Sequence, residues 1–129
     1  AEWGYPTFNA WVANTQFAAE HQGELVAFAK AMDAANKAYL DDKAGWTADN
    51  ENVKAIANLT GATAEQIPEI LTGYTFIPLA DQMSDTWLGN AANIMKSTAE
   101  FLKSAGRIDS VADDYSAFVN TAIATEALK

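Results

Sequence analysis

Hydrophobic and polar residues alternate near the start of the chain, which is the pattern of a half-buried β-strand. Over residues 5–13 the two sets interleave, with Phe8, Ala10 and Val12 alternating with Thr7, Asn9 and Trp11. We predict a strand over this segment, where β-forming residues are also enriched. Because a single strand cannot satisfy its own backbone hydrogen bonds, the prediction requires a pairing partner that the rest of the chain does not obviously supply.

The remainder of the chain repeats its apolar residues at helical spacing. One stripe extends over about four turns and consists of Leu25, Phe28, Ala29, Met32, Tyr39 and Leu40. Similar spacing predicts further helices around residues 53–57, 67–71, 87–102 and 114–123. The pattern as a whole indicates about six helices, and hence a mostly α-helical chain with one or two strands.

Capping residues place several of the helix ends. Asn14 is a good N-cap for a short helix over residues 15–21, and Gly61 ends the helix around residue 56. Thr63 with Gln66 matches a capping box. Gly106 suits the end of the long helix, and Asp114 is expected to cap the last one.

Charge and composition exclude several classes of partner and site. With 8 basic and 17 acidic residues the net charge is −9, which argues against nucleic acid and anionic membranes as partners. The chain has no cysteine, which excludes disulfides and thiolate chemistry. Its first residues resemble no signal peptide, so we expect either a removed leader or a chain that starts inside a longer protein.

Residues that could support catalysis or bind a metal are sparse. His21 is the only histidine, and no G-x-S-x-G nucleophile motif accompanies it. The carboxylate pairs Asp41-Asp42 and Asp113-Asp114 lie at predicted helix ends, where structural roles are the better interpretation. The sequence also lacks a phosphate-binding loop and a dinucleotide fingerprint. We therefore predict no enzyme, no cofactor and no metal site.

Three stretches in succession resemble the motifs of one known protein family. The first is WGYPTFNAWVANTQFAAEHQGELVAFAKA over residues 3–31, similar to the family's W-G-x-P-T-hydrophobic-D-x-W-V strand and the helix after it. The second runs from residue 52 to residue 78 and contains IANLTGATAEQIPEILTGYTFIP. The third is TAEFLKSAGRIDSVADDYSAFVN over residues 98–120. Together, in the family order, they cover nearly the whole chain and resemble the periplasmic solute-binding proteins of the taurine, sulfonate and nitrate ABC-transporter family.

This resemblance implies the C-terminal part of a two-lobe α/β periplasmic-binding-protein fold of type II. Residues 1–129 would form one unit, with a hinge strand at about 5–13 followed by helices that complete lobe one. The implied function is capture of taurine, an alkanesulfonate or a similar small organic anion, followed by recognition by the membrane permease of an ABC importer. The implied location is the periplasm, and the N-terminal half of the fold is expected to be needed for ligand binding.

The same resemblance nominates ligand-binding residues in the first segment. Pro6 and Thr7 match the family motif, and Asn9 occupies the position of its acidic residue, which meets the ligand ammonium in taurine binders. A neutral amide there weakens the complementarity to an ammonium group. Trp3 and Trp11 are the aromatic candidates, as residues that either line a cleft or pack against sequence absent from this chain.

Two alternative functions stay open at this point. The aromatic residues near the start would suit a carrier of aromatic or pyrimidine-type ligands in the same superfamily. A self-sufficient helical interaction module is the alternative outside transport. Self-association through the predicted strand is a further expectation, since an unpaired strand edge is a template for pairing with another chain.

Overall fold

The computed structural model describes residues 9–129, and all the regular structure in that range is helical. The two longest helices are Gln22–Asp41 and Ala91–Ser104, and short 3₁₀ turns occur at Lys43–Gly45, Leu88–Asn90 and Ser116–Phe118. The α-helices are α1 (Thr15–Glu20), α2 (Gln22–Asp41), α3 (Glu51–Thr60), α4 (Ile67–Thr72), α5 (Leu79–Gln82), α6 (Ala91–Ser104) and α7 (Ala122–Ala127). The prediction of a mainly helical chain is confirmed for the described residues.

The predicted strand is wrong as far as the structure describes it. Residues 9–13 have no regular secondary structure, and no backbone hydrogen bond joins them to another described residue. A strand is stabilised by hydrogen bonds to a neighbouring strand, and residues 9–129 contain none. The earlier part of the prediction, residues 5–8, lies outside the described residues.

The predicted caps of the short helices are largely confirmed. The Asn14 side chain accepts from the N–H groups of Gln16 and Phe17 at 2.9 and 3.3 Å, so α1 begins where the sequence predicts. Gly61 ends α3 in the left-handed region at φ 76°, which glycine adopts at little cost. Of the two hydrogen bonds of the predicted capping box before α4, one is present: the Gln66 side chain accepts from the Thr63 N–H at 3.0 Å.

The predicted long helix begins later than its apolar stripe suggests. Trp87 and Leu88 precede α6, which starts at Ala91. Gly89 lies so close to preceding main chain that a Cβ atom there would come within 2.8 Å of the carbonyl oxygens of Met83 and Ser84. This tight turn prevents the helical spacing from continuing back to Trp87. At its other end α6 is followed by Gly106 at φ 68°, as predicted.

The last helix also begins later than predicted. The Asp114 carboxylate accepts from the Ser116 N–H at 2.8 Å, but this contact precedes only a 3₁₀ turn. α7 starts at Ala122, whose N–H donates to the Asn120 side chain at 3.0 Å. Asp114 therefore organises a local turn, and Phe118 lies outside the helix with 69% of its surface exposed.

The chain divides into two compact units, one formed by Ala31–Pro78 and the other by Ala1–Lys30 with Leu79–Lys129. The core of the Ala31–Pro78 unit brings α3 and α4 together with the end of α2. Val53 is fully buried, and Ile67 is 2% exposed. The buried members of this core are Tyr39, Val53, Ala57, Ile67 and Leu71, with Trp46, Ile56, Ala62, Ala64 and Phe76 packed against them.

The other unit has a smaller core made mostly of short side chains. Leu79, Ala124 and Ala127 are buried, and Val26, Ala29, Met83 and Leu88 pack against them. Ala91 and Ala99 of α6 are also buried. Small side chains remove little apolar surface from water, so this unit gains less from burial than a core of Ile, Leu and Phe would provide.

No helix among the described residues is both long and apolar enough to cross a membrane. We predicted that residues 1–129 act as one unit that completes lobe one of a larger fold. The division into two compact units describes the chain without the rest of that fold, so this stays a prediction.

Candidate functional site

The ligand-binding residues predicted from the sequence lie in its first segment. Trp3, Pro6 and Thr7 fall outside the described residues, so only Asn9 and Trp11 have a described position. Asn9 is exposed and forms no hydrogen bond with a described residue. Its amide is therefore available to a ligand or to further protein, and its assignment to a ligand stays a prediction.

Trp11 is placed by an aromatic contact with α2. Its ring meets Phe28 edge to face, with centroids 5.0 Å apart and planes at 86°. Such a pair contributes about 0.5–1.5 kcal/mol beyond area burial. Trp11 is nevertheless 74% exposed and Phe28 41% exposed. The pair thus presents a largely uncovered aromatic surface.

No side chain of residues 9–30 is fully buried, although Val26 and Ala29 are partly buried against the core of their unit. Val12 is 92% exposed and Phe17 is 46% exposed, in addition to the Trp11–Phe28 pair. Isolated exposed hydrophobic residues are ordinary on protein surfaces, but several large ones within one short segment indicate a contact surface. This segment therefore presents apolar surface for contact with a partner.

His21 takes part in a local surface arrangement at the junction of α1 and α2. Its ring stacks on Phe17 with centroids 4.4 Å apart, and its Nδ1 lies 3.2 Å from Glu24 Oε1. The pKa of Glu24 is lowered, first by hydrogen bonding to its own backbone N–H and then by His21. These contacts give His21 a structural partner and assemble no nucleophile beside it.

One aspartate of each pair, Asp42 and Asp114, has a structural role. Asp42 Oδ1 accepts from the Gly45 N–H at 3.0 Å and begins the 3₁₀ turn. Asp114 Oδ2 accepts from the Ser116 hydroxyl at 2.6 Å, next to the contact with the Ser116 N–H. Within residues 9–129 no three acidic or histidine side chains gather closely enough to hold a metal ion.

The hydroxyl and amide of Ser116 lower the pKa of Asp114, because both donate hydrogen bonds to the charged form. Replacing Ser116 by Ala removes the hydroxyl donor, so we expect the pKa of Asp114 to rise toward its ordinary value. Because the pKa of Asp114 is lower in the folded chain than in the unfolded chain, the ionised carboxylate stabilises the fold at pH values above its unfolded pKa. This contribution should be lost as the pH falls through the pKa of Asp114 in the folded chain. NMR titration of the Asp114 carboxyl carbon in both proteins measures the change, and an unaltered pKa would contradict it.

A concave site that the sequence did not predict lies within the Ala31–Pro78 unit. This Tyr39–Trp46 cleft has a volume of about 520 Å³ and is lined by Tyr39, Lys43, Ala44, Trp46, Thr47, Ala48, Glu65, Pro68 and Thr72. Its residues come from the end of α2, the 3₁₀ turn and loop after it, the turn before α4, and α4 itself. The spacing of these residues follows no known motif. The sequence signal for the cleft is limited to Lys43 and Trp46, which lie between α2 and α3.

Comparison with known proteins gives one relevant result for the chain as a whole. No family model matches the sequence. A curated protein, the taurine-binding periplasmic protein of Escherichia coli (strain K12), is 32% identical over 120 residues, which are 93% of this chain and 37% of that protein. The chain therefore spans little more than a third of the relative's length. At this identity, the chain is homologous to a part of that taurine-binding periplasmic protein.

Proposed function

We propose that this chain is the C-terminal part of the solute-binding protein of an ABC importer, acting on taurine, an alkanesulfonate or a similar small organic anion. The single observation that supports this most strongly is the 32% identity to a taurine-binding periplasmic protein. The three stretches that resemble the family are spread over nearly the whole chain and also support the proposal. We further propose a periplasmic location and a membrane permease as the partner.

The mechanism expected for such a protein is closure of two lobes around the ligand, followed by recognition of the closed form. A ligand shifts the population toward the closed form only if it binds that form better, which requires contacts with both lobes. We propose that residues 1–129 complete lobe one and that the first segment connects to the other lobe. The exposed large side chains within residues 9–30, which contain no fully buried residue, support a surface that packs against further protein.

The residue at position 9 bears on which ligand is bound. Taurine binders of the family are expected to carry an acid there, whereas this chain has Asn9. A neutral amide can accept a hydrogen bond from an ammonium group but lacks the charge that strengthens such a contact. This difference favours an anion without an amine, such as an alkanesulfonate. Trp3, Pro6, Thr7 and Trp11 remain the other proposed contacts.

A carrier for aromatic or pyrimidine-type ligands is the second candidate, and one observation favours it. The Trp11–Phe28 pair presents exposed ring surface in the segment proposed to face the ligand. Aromatic rings stack on such surfaces at little conformational cost. The two candidates differ in whether the rings contact ligand or protein.

The isolated chain is expected to bind neither taurine nor simple alkanesulfonates with micromolar affinity, because it offers contacts from only one side of the proposed cleft between lobes. Isothermal titration calorimetry with taurine and ethanesulfonate measures this. The matched comparison is the same chain joined to the rest of the homologous binding protein, which should recover binding. Micromolar affinity of the isolated chain would contradict the division of the site between lobes, and no binding by the joined protein would contradict the proposed function.

A further inference from the structure

We propose that the Tyr39–Trp46 cleft is a second binding site, for a small zwitterion that carries an ammonium group and a carboxylate at the two ends of an apolar body. The cleft volume of about 520 Å³ suits a molecule of this size, since small-molecule sites measure about 300–1,000 Å³. The site is formed by residues between 39 and 72 and includes none of the residues of the predicted ligand segment. It therefore goes beyond the proposed function and does not depend on it.

The apolar wall of the cleft is held rigidly by the core behind it. The rings of Tyr39 and Trp46 meet edge to face, with centroids 5.2 Å apart and planes at 89°. Tyr39 is 7% exposed, and its ring also packs against that of Phe76, with the ring centroids 4.7 Å apart. The indole N–H of Trp46 donates to the carbonyl of Ala38 at 3.3 Å, which fixes the ring's orientation. A preorganised wall of this kind reduces the entropic cost of binding an apolar group.

A positive charge faces the cleft without an anionic partner. Lys43 Nζ lies 5.8 Å from the centroid of the Tyr39 ring, within the distance at which a cation is attracted to a ring face. Among the described residues Lys43 forms no ion pair, although the carboxylate of Asp42 is next to it in sequence. Asp42 is instead directed to the Gly45 N–H. The Lys43 ammonium is thus available to an anionic ligand group.

A negative charge also lines the cleft. The pKa of Glu65 is lowered by its own backbone N–H and by the Thr63 hydroxyl, so its side chain is ionised at neutral pH. Within the described range it too forms no ion pair. A ligand with a single charge would gain one favourable contact and meet one like charge, which is how a site rejects the wrong partner. Only a ligand with both charges is complementary to Lys43 and Glu65 together.

Two hydroxyl groups add polar contacts to the same site. The Thr72 hydroxyl donates to the Glu69 carbonyl at 2.7 Å, which leaves its oxygen free to accept. Thr47 has no side-chain hydrogen bond with any other described residue. Both hydroxyls line the cleft beside the apolar side chains of Ala44, Ala48 and Pro68. A few polar groups on a mainly apolar lining are the usual composition of small-molecule sites.

The site is tested by NMR titration of the ¹⁵N-labelled chain with two zwitterions of different charge separation, 4-aminobutanoate and 6-aminohexanoate. Hexanoate and hexylamine serve as matched ligands that carry one charge each. We expect at least one zwitterion to give saturable shifts of the Trp46 indole N–H and the Glu65 amide in the millimolar range. Each singly charged ligand should bind about fivefold more weakly, as expected for the loss of one exposed charge contact worth up to ~1 kcal/mol.

Single substitutions separate the two charges. Lys43→Gln and Glu65→Gln should each weaken zwitterion binding about fivefold, and Glu65→Gln should bring hexanoate closer to the zwitterion in affinity. Lys103→Gln, which changes an exposed lysine in the other unit, should leave binding unchanged. The ¹⁵N spectrum of each variant reports its fold in the same experiment. Absence of saturable shifts at Trp46, or equal shifts with all four ligands, would overturn the proposal.

Discussion

Replacing Ile67 by Ala is expected to lower the free energy of unfolding of the Ala31–Pro78 unit by about 2–5 kcal/mol. Ile67 is 2% exposed and belongs to the core that contains fully buried Val53. Truncation removes three carbon atoms from water-free surroundings and leaves a cavity that the neighbours fill only in part. Since small domains are stable by only ~5–15 kcal/mol, one such change should be conspicuous in urea unfolding.

Leu59→Ala is the matched control, because Leu59 lies on α3 beside the same core but is 87% exposed. Its effect should stay within about 0.5 kcal/mol. Equal destabilisation by both substitutions would contradict the assigned core. The experiment also bears on the helical-module alternative, because cooperative unfolding of the unmodified chain would favour a self-sufficient fold.

Replacing Gly89 by Ala should destabilise the unit that contains α6 by about 1–3 kcal/mol. The added Cβ would lie 2.8 Å from the carbonyl oxygens of Met83 and Ser84. Both are main-chain atoms, so no side-chain rotation can relieve the contact. The Gly89 N–H also donates to the Ser84 carbonyl at 3.1 Å, and a shift of the turn would weaken this bond.

Gly23→Ala provides the comparison within the same unit. An added Cβ at Gly23 meets no heavy atom within 4 Å, and the residue lies in the first turn of α2. Alanine favours the helix by up to about 1 kcal/mol relative to glycine. Thermal unfolding should therefore show a lower Tm for Gly89→Ala and an unchanged or higher Tm for Gly23→Ala. The reverse order would show that the turn at Gly89 does not constrain α6.

Local sequence chemistry was sufficient to predict the short helices α1, α3 and α4 and several helix ends. Asn14 begins α1 through two hydrogen bonds to residues within three positions of it. Gly61 and Gly106 end their helices at positive φ, where other residues are strained. These features depend on atoms a few residues apart, so the pattern of residues alone determines them. The apolar stripe also predicts α2 correctly, because it depends on residues only three or four positions apart.

Contacts between residues far apart in sequence determined the features that the sequence pattern predicted wrongly. The alternation over residues 5–13 describes which faces a strand would have, but the strand itself needs a partner, and described residues 9–13 have none. Trp87 and Leu88 continue the stripe of α6, yet the close approach of Gly89 to residues 83 and 84 places them in a turn.

The candidate sites divide in the same way. Asn9 and the motif around it can be identified from the sequence, because the resemblance to the solute-binding family follows consecutive residues. The Tyr39–Trp46 cleft could not be, because Lys43 and Glu65 reach the same cavity only after α3 and α4 fold onto the end of α2. The sequence by itself thus determined the local helices and the family relation. Tertiary packing determined which charges and rings share a cavity, since cavities depend on non-local contacts that no short spacing encodes.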